Sequence, residues 1–262
     1  MGTDTLTTTV DGRGIAEIVV DRPPVNALPV EDWFRLAEKI ADLGRDADVR
    51  VVVLRAGGRG FNAGVDVKEL QADATNAALV GVNRACFAAF AAVYDCPVPV
   101  VVAVHGYCLG GGIGLVGNAD IVIAAEDATF GLPEVDRGAL GAATHLSRLV
   151  PQHKARAMMY TCATASAAEL HAFGSVLEVV PGERLRDRAL EIAAGIAEKN
   201  PKVVRAAKEA FNGIDPWDVK RSYRYEQGFT FEIALSGVAR EVRGAFGSTE
   251  ERVTEERVGD GE

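Results

Sequence analysis

The amino-acid sequence predicts an α/β fold built on a parallel β-sheet. Residues 51–55 and 98–104 consist almost entirely of Val, Ala and Leu, which is typical of strands buried on both faces. Each run leads into a glycine-rich stretch. Residues 30–43 carry Trp33, Leu36 and Ile40 on one face, as an amphipathic helix does. The order strand, helix, strand favours parallel pairing through right-handed crossovers.

Length and composition allow one large domain, or a core plus an appendage, and exclude several function classes. The chain has 262 residues, of which 48% are hydrophobic, and a net charge of -9, which opposes binding to nucleic acid or to an anionic membrane. The four cysteines lack C-x-x-C spacing, which argues against a disulfide framework or a zinc site. The sequence begins with no signal-like pattern and holds no aliphatic run near the roughly 18 residues of a membrane span. We therefore expect a cytoplasmic protein.

The remaining elements follow from residue patterns along the chain. Residues 5–10 and 15–20 form a predicted hairpin, residues 76–93 a helix and residues 121–125 a strand. Helices are predicted at 154–161, 167–173, 185–199, 203–211 and 219–243. Strand, glycine turn and helix recur at intervals of about 50 residues, which suggests a spiral of ββα turns. Residues 250–262 hold six acidic residues and two arginines, which predicts a solvated tail.

Three consecutive glycines, Gly110 to Gly112, follow the strand at 98–104 and bring backbone N–H groups close to a ligand. One interpretation is a dinucleotide fingerprint, Gly112-x-Gly114-x-x-Gly117. That fingerprint needs its first glycine directly after the strand, whereas eight positions separate Val104 from Gly112. The preferred interpretation is an oxyanion hole, which needs a second donor. The glycine-rich segment at 56–70 supplies one.

Three motifs together resemble the signatures of the crotonase (enoyl-CoA hydratase/isomerase) superfamily. They are F-x-A-G-x-D-x-K-E-L at 61–70, A-V-x-G-x-x-x-G-G-G at 103–112 and F-G-L-P-E at 130–134, and the resemblance extends over residues 5–246. It implies a crotonase ββα spiral core over residues 1–200, a C-terminal helical trimerisation layer over 201–246 and a flexible acidic tail over 247–262. It also implies a homotrimer or hexamer, an acyl-CoA thioester substrate, and no cofactor or metal beyond the coenzyme A of the substrate.

The resemblance assigns roles to residues by motif position. The oxyanion donors fall on the backbone amides of Val65 and Gly111, and the acid/base on Glu134. A carboxylate in an apolar pocket has a raised pKa, which lets it move protons near neutral pH. Coenzyme A contacts fall on Asn26, Ala27, Arg59, Ala63 and Lys68. Three of these assignments have an alternative without a ligand. Asn26 would then be a turn residue that bonds its own backbone. Arg59 and Lys68 would be solvated surface side chains.

Four further residues are candidates beside Glu134. Asp66 belongs to the first motif, although capping the following helix is the favoured alternative. His145 is a candidate second base or hydrogen-bond donor, with a structural histidine as the alternative. Tyr225 and Glu226 lie on the C-terminal helix, whose counterparts in some family members reach a neighbouring active site.

The sequence departs from the hydratase pattern at Gly114, where hydratases of the family carry the first of two catalytic glutamates. A single carboxylate beside an oxyanion hole still supports double-bond isomerisation, or hydrolysis of a carbon–carbon bond in a β-keto acyl-CoA. Residues 110–151 and 225–232 resemble actinobacterial crotonase-family hydrolases that open a steroid C/D-ring remnant in cholesterol breakdown. Hydrolytic ring opening is therefore preferred. The alternatives are an enoyl-CoA hydratase or isomerase of β-oxidation and a non-enzymatic CoA-binding homologue.

Overall fold

The structure of the protein is a computed structural model that describes residues 4–72, 76–239 and 241–242. In chain order its elements are β1 (Leu6–Val10), β2 (Ile15–Val20), α1 (Val30–Arg45), β3 (Val51–Ala56), α2 (Val67–Ala72), α3 (Ala77–Asp95), β4 (Val100–Val104), β5 (Tyr107–Leu109), α4 (Gly111–Val116), β6 (Ile121–Ala125), β7 (Thr129–Gly131), α5 (Ala143–Leu149), α6 (Gln152–Thr161), β8 (Ala165–Ser166), α7 (Ala167–Ala172), β9 (Glu178–Val180), α8 (Leu185–Ala197), α9 (Pro201–Ile214) and α10 (Val219–Leu235).

The larger sheet has the strand order β1-β2-β3-β4-β6-β9. The hairpin partner β1 runs antiparallel to β2, and every other neighbouring pair in this sheet is parallel. Helix α1 connects β2 to β3, and α2 and α3 connect β3 to β4. The α/β class and the parallel sheet expected from the sequence are thereby confirmed.

Helices cover both faces of the larger sheet. Val52 and Val102 point to the side where α1, α3 and α4 pack, and Val53 and Val101 point to the side covered by α8. Every residue of β4 is buried. Because neither face of β3 or β4 meets water, these strands are apolar at successive positions instead of alternating, as the sequence indicated.

The smaller sheet, in the order β5-β7-β8, was not predicted from the sequence. Its strands are only two or three residues long, too short for a hydrophobic period to show. Its parallel β5–β7 pair aligns Leu109 with Gly131, and the Gly110 amide donates to the Gly131 carbonyl over 3.1 Å. This pairing brings the glycine turn after β5 beside the segment after β7.

Several helix boundaries differ by two residues or more from those expected, and for two of them the cause is visible. The helix predicted for residues 219–243 ends at Leu235, because Gly237 takes a left-handed conformation with φ of 86°. Helix α9 begins two residues before the predicted 203, with Pro201 at its first turn and the Asn200 side chain capping it. The acidic tail predicted for 247–262 lies outside the described residues.

Within the described part of the chain, α3 is the one helix long and apolar enough to cross a membrane, judged by length and composition. Its residues Val82, Ala89 and Val93 are buried in the same core as Trp33 of α1. A core helix that lies between a sheet and other helices has this composition for reasons of packing alone.

Candidate active site

A cavity of about 130 Å³ lies at the junction of the two glycine-rich segments, helices α3 and α10, and the loop that precedes α5. Four of the residues singled out from the sequence line it: Ala63, Val65, Gly111 and Glu134. Apolar side chains, among them Leu79, Val82 and Phe90, form much of the remaining wall. The motifs, separated by up to 70 positions in sequence, therefore meet at one site.

The two predicted oxyanion donors lie on adjacent backbone segments. A Cβ on Gly64 would lie 3.3 Å from the Gly111 amide nitrogen, so the segment that carries Val65 passes directly beside the start of α4. The Gly64 amide is occupied by the Asn62 side chain at 2.8 Å, whereas neither Val65 nor Gly111 donates to another described residue. Both residues line the cavity, and their amides have no acceptor among the described residues, as an oxyanion hole requires.

Glu134 follows β7, and its carboxyl group lies between two glycines. A Cβ on Gly110 would come within 2.5 Å of Oε1, and a Cβ on Gly141 within 2.5 Å of Cδ. Its Oε2 is buried and has no hydrogen-bond partner among the described residues. Burial raises the pKa of Glu134 to about 7, and the nearby Glu226 carboxylate acts in the same direction while Arg137 opposes it. Such a carboxyl group can accept or release a proton near neutral pH.

The space beside Gly114, where hydratases carry the first of their two glutamates, is filled by an aromatic ring. A Cβ on Gly114 would lie 2.2 Å from Cζ of Phe90 and within 2.5 Å of two more atoms of that ring. Phe90 is itself fixed, because its ring makes edge contacts with Trp33 and His145. No side chain at position 114 could project into the cavity without displacing Phe90.

Glu226 lies on α10 and bonds the beginning of α5 in the same chain. Its carboxylate accepts from the Ala143 amide at 2.8 Å, the Thr144 amide at 3.0 Å and the Thr144 hydroxyl at 3.0 Å. Burial raises the pKa of Glu226 to about 7, although these hydrogen bonds oppose the shift. It is absent from the cavity wall among the described residues.

His145, on α5, is 1% exposed and lies outside the cavity wall. The Asn118 amide nitrogen donates to the Gly114 carbonyl at 2.6 Å and lies 2.9 Å from Nδ1 of His145, so Nδ1 is the acceptor and Nε2 carries the proton. Burial lowers the pKa of His145 to about 3, which leaves the ring neutral. These contacts are those of a structural histidine, which is the alternative to a second base or a hydrogen-bond donor.

Asn26 and Asp66 also make structural contacts. Asn26 bonds the backbone as a turn residue, and Asp66 caps the following helix. The Asn26 amide nitrogen donates to the carbonyls of Gly57 and Gly60, each at 2.8 Å, and its Oδ1 accepts from the Arg22 amide. Asp66 Oδ1 accepts from the Lys68 amide at 3.0 Å, at the start of α2.

The other sequence candidates lie at the surface or beside the cavity. Arg59 and Lys68 are exposed, and Ala27 is half-buried. Tyr225 is 72% exposed and packs its ring against Phe229 on the outer side of α10. Any contact of Tyr225 with an active site would have to be with that of a neighbouring subunit, and that stays a prediction.

Sequence reasoning missed three residues that shape the cavity. Phe90 and Tyr223 line it from α3 and α10, and Gly141 lies against the Glu134 carboxyl group. In the sequence Phe90 is only one of several apolar positions on a helix, and Tyr223 is one of four aromatic residues in the segment that forms α10. Nothing in their local pattern marks them, because their place depends on packing between distant segments.

The comparisons with known proteins agree with this geometry. The family described as enoyl-CoA hydratase/isomerase matches residues 11–231. The chain belongs to the enoyl-CoA hydratase/isomerase family. A crystal structure of an enoyl-CoA hydratase/isomerase from Pseudoalteromonas atlantica T6c matches with a TM-score of 0.83 and 26% identity, over 94% of this chain and 98% of that one. The fold is therefore the crotonase fold expected from the motifs.

Two curated members of the enoyl-CoA hydratase/isomerase family are similar over nearly the whole chain. Both are named (7aS)-7a-methyl-1,5-dioxo-2,3,5,6,7,7a-hexahydro-1H-indene-carboxyl-CoA hydrolase. The protein from Rhodococcus jostii is 63% identical over 93% of this chain and 95% of its own length. The protein from Mycobacterium tuberculosis is 59% identical over 92% of this chain and 98% of its own length.

The contact between Gly114 and Phe90 gives a first prediction. Gly114→Ala should lower the free energy of unfolding by about 1–3 kcal/mol, because the added methyl group overlaps the Phe90 ring. In a Phe90→Ala background the same change should cost much less, because the ring that it meets is gone. Urea denaturation of the two single variants and the double variant measures this coupling.

A matched control for Gly114→Ala is Gly195→Ala in α8, where an added Cβ meets nothing within 4 Å. That change should leave stability equal or raise it by up to about 1 kcal/mol, as expected for Ala in place of Gly within a helix. Equal costs for Gly114→Ala with and without Phe90 would show that the ring does not fill the position.

A second prediction concerns the stability of the protein as a function of pH. The pKa of Glu134 is higher in the folded protein than its ordinary value of 4.5, so between about pH 4.5 and 7 the folded state binds more protons than the unfolded state. The contribution of Glu134 to stability therefore falls as pH rises through this window. Glu134→Gln, which stays neutral, should be more stable than the wild type at pH 8 and nearly equal to it at pH 5.

Thermal denaturation at the two pH values tests this, with Glu38→Gln on the exposed side of α1 as the control. The control should follow the wild type at both pH values. A Glu134→Gln variant whose stability relative to the wild type is the same at pH 5 and pH 8 would contradict a buried carboxyl group with a raised pKa.

Proposed function

We propose that this protein hydrolyses a carbon–carbon bond in a cyclic β-keto acyl-CoA and so opens one ring of a two-ring steroid fragment in cholesterol degradation. The observation that carries the proposal is one buried carboxyl group, Glu134, which lines the same cavity as two free backbone amides, with no room beside Gly114 for the first hydratase glutamate. The two hydrolases at 63% and 59% identity support a bicyclic diketone thioester as the substrate.

In the first step, the ionised Glu134 takes a proton from water as the water oxygen attacks the ring ketone β to the thioester. The bond between the former ketone carbon and the carbon next to the thioester then breaks, and its electron pair moves into the thioester. The thioester becomes an enolate, and its negative oxygen is stabilised by the amides of Val65 and Gly111. The former ketone carbon leaves as a carboxylic acid that is still tethered to the remaining ring.

In the second step, the protonated Glu134 returns its proton to the carbon skeleton of the enolate, which restores the thioester and the starting form of the enzyme. Both steps need a carboxyl group that is comparably stable with and without its proton near pH 7, and burial gives Glu134 that property. The net reaction adds one water molecule, breaks one carbon–carbon bond and leaves coenzyme A attached.

Coenzyme A in this proposal is carried by the substrate, and the protein contributes no other cofactor. Arg59 and Lys68 are exposed beside the first motif and are placed to meet phosphate groups as solvated charges. The loop that holds Asn26 and Ala27 is fixed by the Asn26 amide bonds, and Ala63 lies on the cavity wall. We assign these residues to the coenzyme A side of the cavity.

The assembly that we propose is a homotrimer, or a hexamer of two trimers, in the cytoplasm. Helix α9 exposes Val203, Phe211 and Ile214, three positions that recur on one face of a helix, and α10 exposes Tyr225 and Leu235. Side chains of this size exposed together are typical of a surface that is covered in an assembly. Residues 201–246 are the layer that we assign to oligomerisation.

A third prediction tests the proposed function. Wild-type protein given a cyclic 2-ketoacyl-CoA in H₂¹⁸O should form an open-chain acyl-CoA, heavier by one water, with ¹⁸O in a new carboxylate. Crotonyl-CoA should be left largely unhydrated. Glu134→Gln should reduce ring opening by about 10²–10⁴-fold, the usual contribution of a positioned acid or base. Mass spectrometry with fragmentation locates the label.

The other candidate functions give different results in the same experiment. Rapid hydration of crotonyl-CoA to the 3-hydroxy product would make the protein a hydratase and contradict the inference from Gly114. Movement of the double bond in a 3-enoyl-CoA, with no added water, would make it an isomerase, for which one carboxylate also suffices. No product from either the wild type or Glu134→Gln, with CoA thioesters still bound by both, would indicate a non-enzymatic binding protein.

A fourth prediction concerns assembly. Light scattering after gel filtration should give three or six times the mass of one chain. Phe211→Asp combined with Ile214→Asp should lower this mass, because two charges would replace apolar side chains in the buried surface. Val10→Asp, an exposed apolar residue on β1, is the control and should leave the mass unchanged. A wild-type monomer would contradict the proposed assembly.

A further inference from the structure

The loop of residues 138–142 forms the wall of the cavity next to Glu134. A Cβ on Gly141 would lie 2.5 Å from Cδ and 2.8 Å from Oε1 of Glu134, so the backbone of the loop touches the carboxyl group itself. The Ala139 amide also donates to the Glu134 carbonyl at 2.9 Å. A shift of this loop would therefore change both the position of the Glu134 carboxyl group and its access to water.

Residues near the C-terminus hold both ends of this loop. At one end, Gly138 has a left-handed conformation with φ of 64°, and a Cβ there would lie 2.9 Å from Cα of Ala239. At the other end, the loop runs into α5, whose first amides belong to Ala143 and Thr144. Those amides have no carbonyl partner within the helix, and both donate to the Glu226 carboxylate.

Glu226 bonds more donors at the start of α5 than the one backbone amide that a simple helix cap accepts. Each of its two oxygens accepts an amide, at 2.8 and 3.0 Å, and Oε2 also accepts the Thr144 hydroxyl at 3.0 Å. When the carboxyl group is ionised, these bonds are roughly twice as strong as those between neutral groups. The bonds join positions 82 and 83 residues apart in sequence, so they fix α10 to the start of α5.

We propose that Glu226 is a positioning residue for the reaction: by holding the start of α5, it keeps the loop of residues 138–142 closed against the Glu134 carboxyl group. Glu226 does this within its own subunit and without touching the substrate. The influence of its carboxylate on the pKa of Glu134 agrees with this proximity. The kinetic part of the proposal rests on the proposed function, and the structural part does not.

The test compares Glu226→Gln with Glu232→Gln, a matched change on the exposed side of the same helix. Gln keeps the size of the side chain, but it can present only one oxygen to the two amides. Hydrogen–deuterium exchange should become at least about 10-fold faster for peptides spanning 138–144 in Glu226→Gln, because a loop that opens more often exchanges faster. In Glu232→Gln the same peptides should exchange as in the wild type.

The kinetic readout separates positioning from binding. Glu226→Gln should lower kcat for ring opening by about 10- to 100-fold, the size of effect expected when a catalytic group is displaced by about 1 Å. KM for the CoA thioester should stay within about 3-fold, because Glu226 is not part of the cavity wall. Thr144→Ala removes only the hydroxyl contact at 3.0 Å, so it should show the same pattern with a smaller loss.

Several results would overturn the proposal. Exchange at 138–144 in Glu226→Gln that equals the wild type would show that Glu226 does not hold the loop. Faster exchange with unchanged kcat would show that the loop does not position Glu134. If Glu226→Gln does not fold, Thr144→Ala decides in the same way. A wild type inactive on every β-keto thioester would refute the proposed function alone, because the exchange measurement needs no substrate.

Discussion

The candidate active site depends on one constraint, the burial of a carboxyl group with an oxygen that has no hydrogen-bond partner among the described residues. An unpartnered buried polar atom is costly, and the surrounding chain has to stabilise it by packing. The backbone provides this packing around Glu134, because the main chain at Gly110 and at Gly141 contacts the carboxyl group on two sides. The same burial that costs stability gives Glu134 a pKa near 7, so stability and reactivity are set by one feature.

Much of the fold and the centre of the site could be predicted from the sequence, because both depend on local signals. Strands β3 and β4 appear as continuous apolar runs, since their two faces are covered. The glycines of the site appear as motifs, since only glycine allows the backbone to approach so closely, as Gly64 does with the Gly111 amide. The sequence also shows that position 114 is glycine. The resemblance to the crotonase superfamily explains why this residue argues against a two-glutamate hydratase.

What could not be predicted depends on contacts between segments far apart in sequence. The ring that fills the space beside Gly114 comes from Phe90, on another helix. The carboxylate that fixes α5 comes from Glu226, more than 80 positions away. The sequence also suggested catalytic roles for Glu226 and His145, because an ionisable residue near a motif looks the same whether it touches substrate or supports a loop. Only the hydrogen-bond partners distinguish the two.

The two sides of α10 connect these observations. Its inner side carries Tyr223 in the cavity wall and Glu226 on the first amides of α5, whereas its outer side exposes Tyr225 and Leu235. A helix with an apolar outer side is held in place more firmly when a neighbouring subunit covers that side. If α10 is fixed by assembly, the loop beside Glu134 is fixed as well, because Glu226 joins the two. The geometry of the acid/base then depends on the packing of a helix that contributes no reacting group.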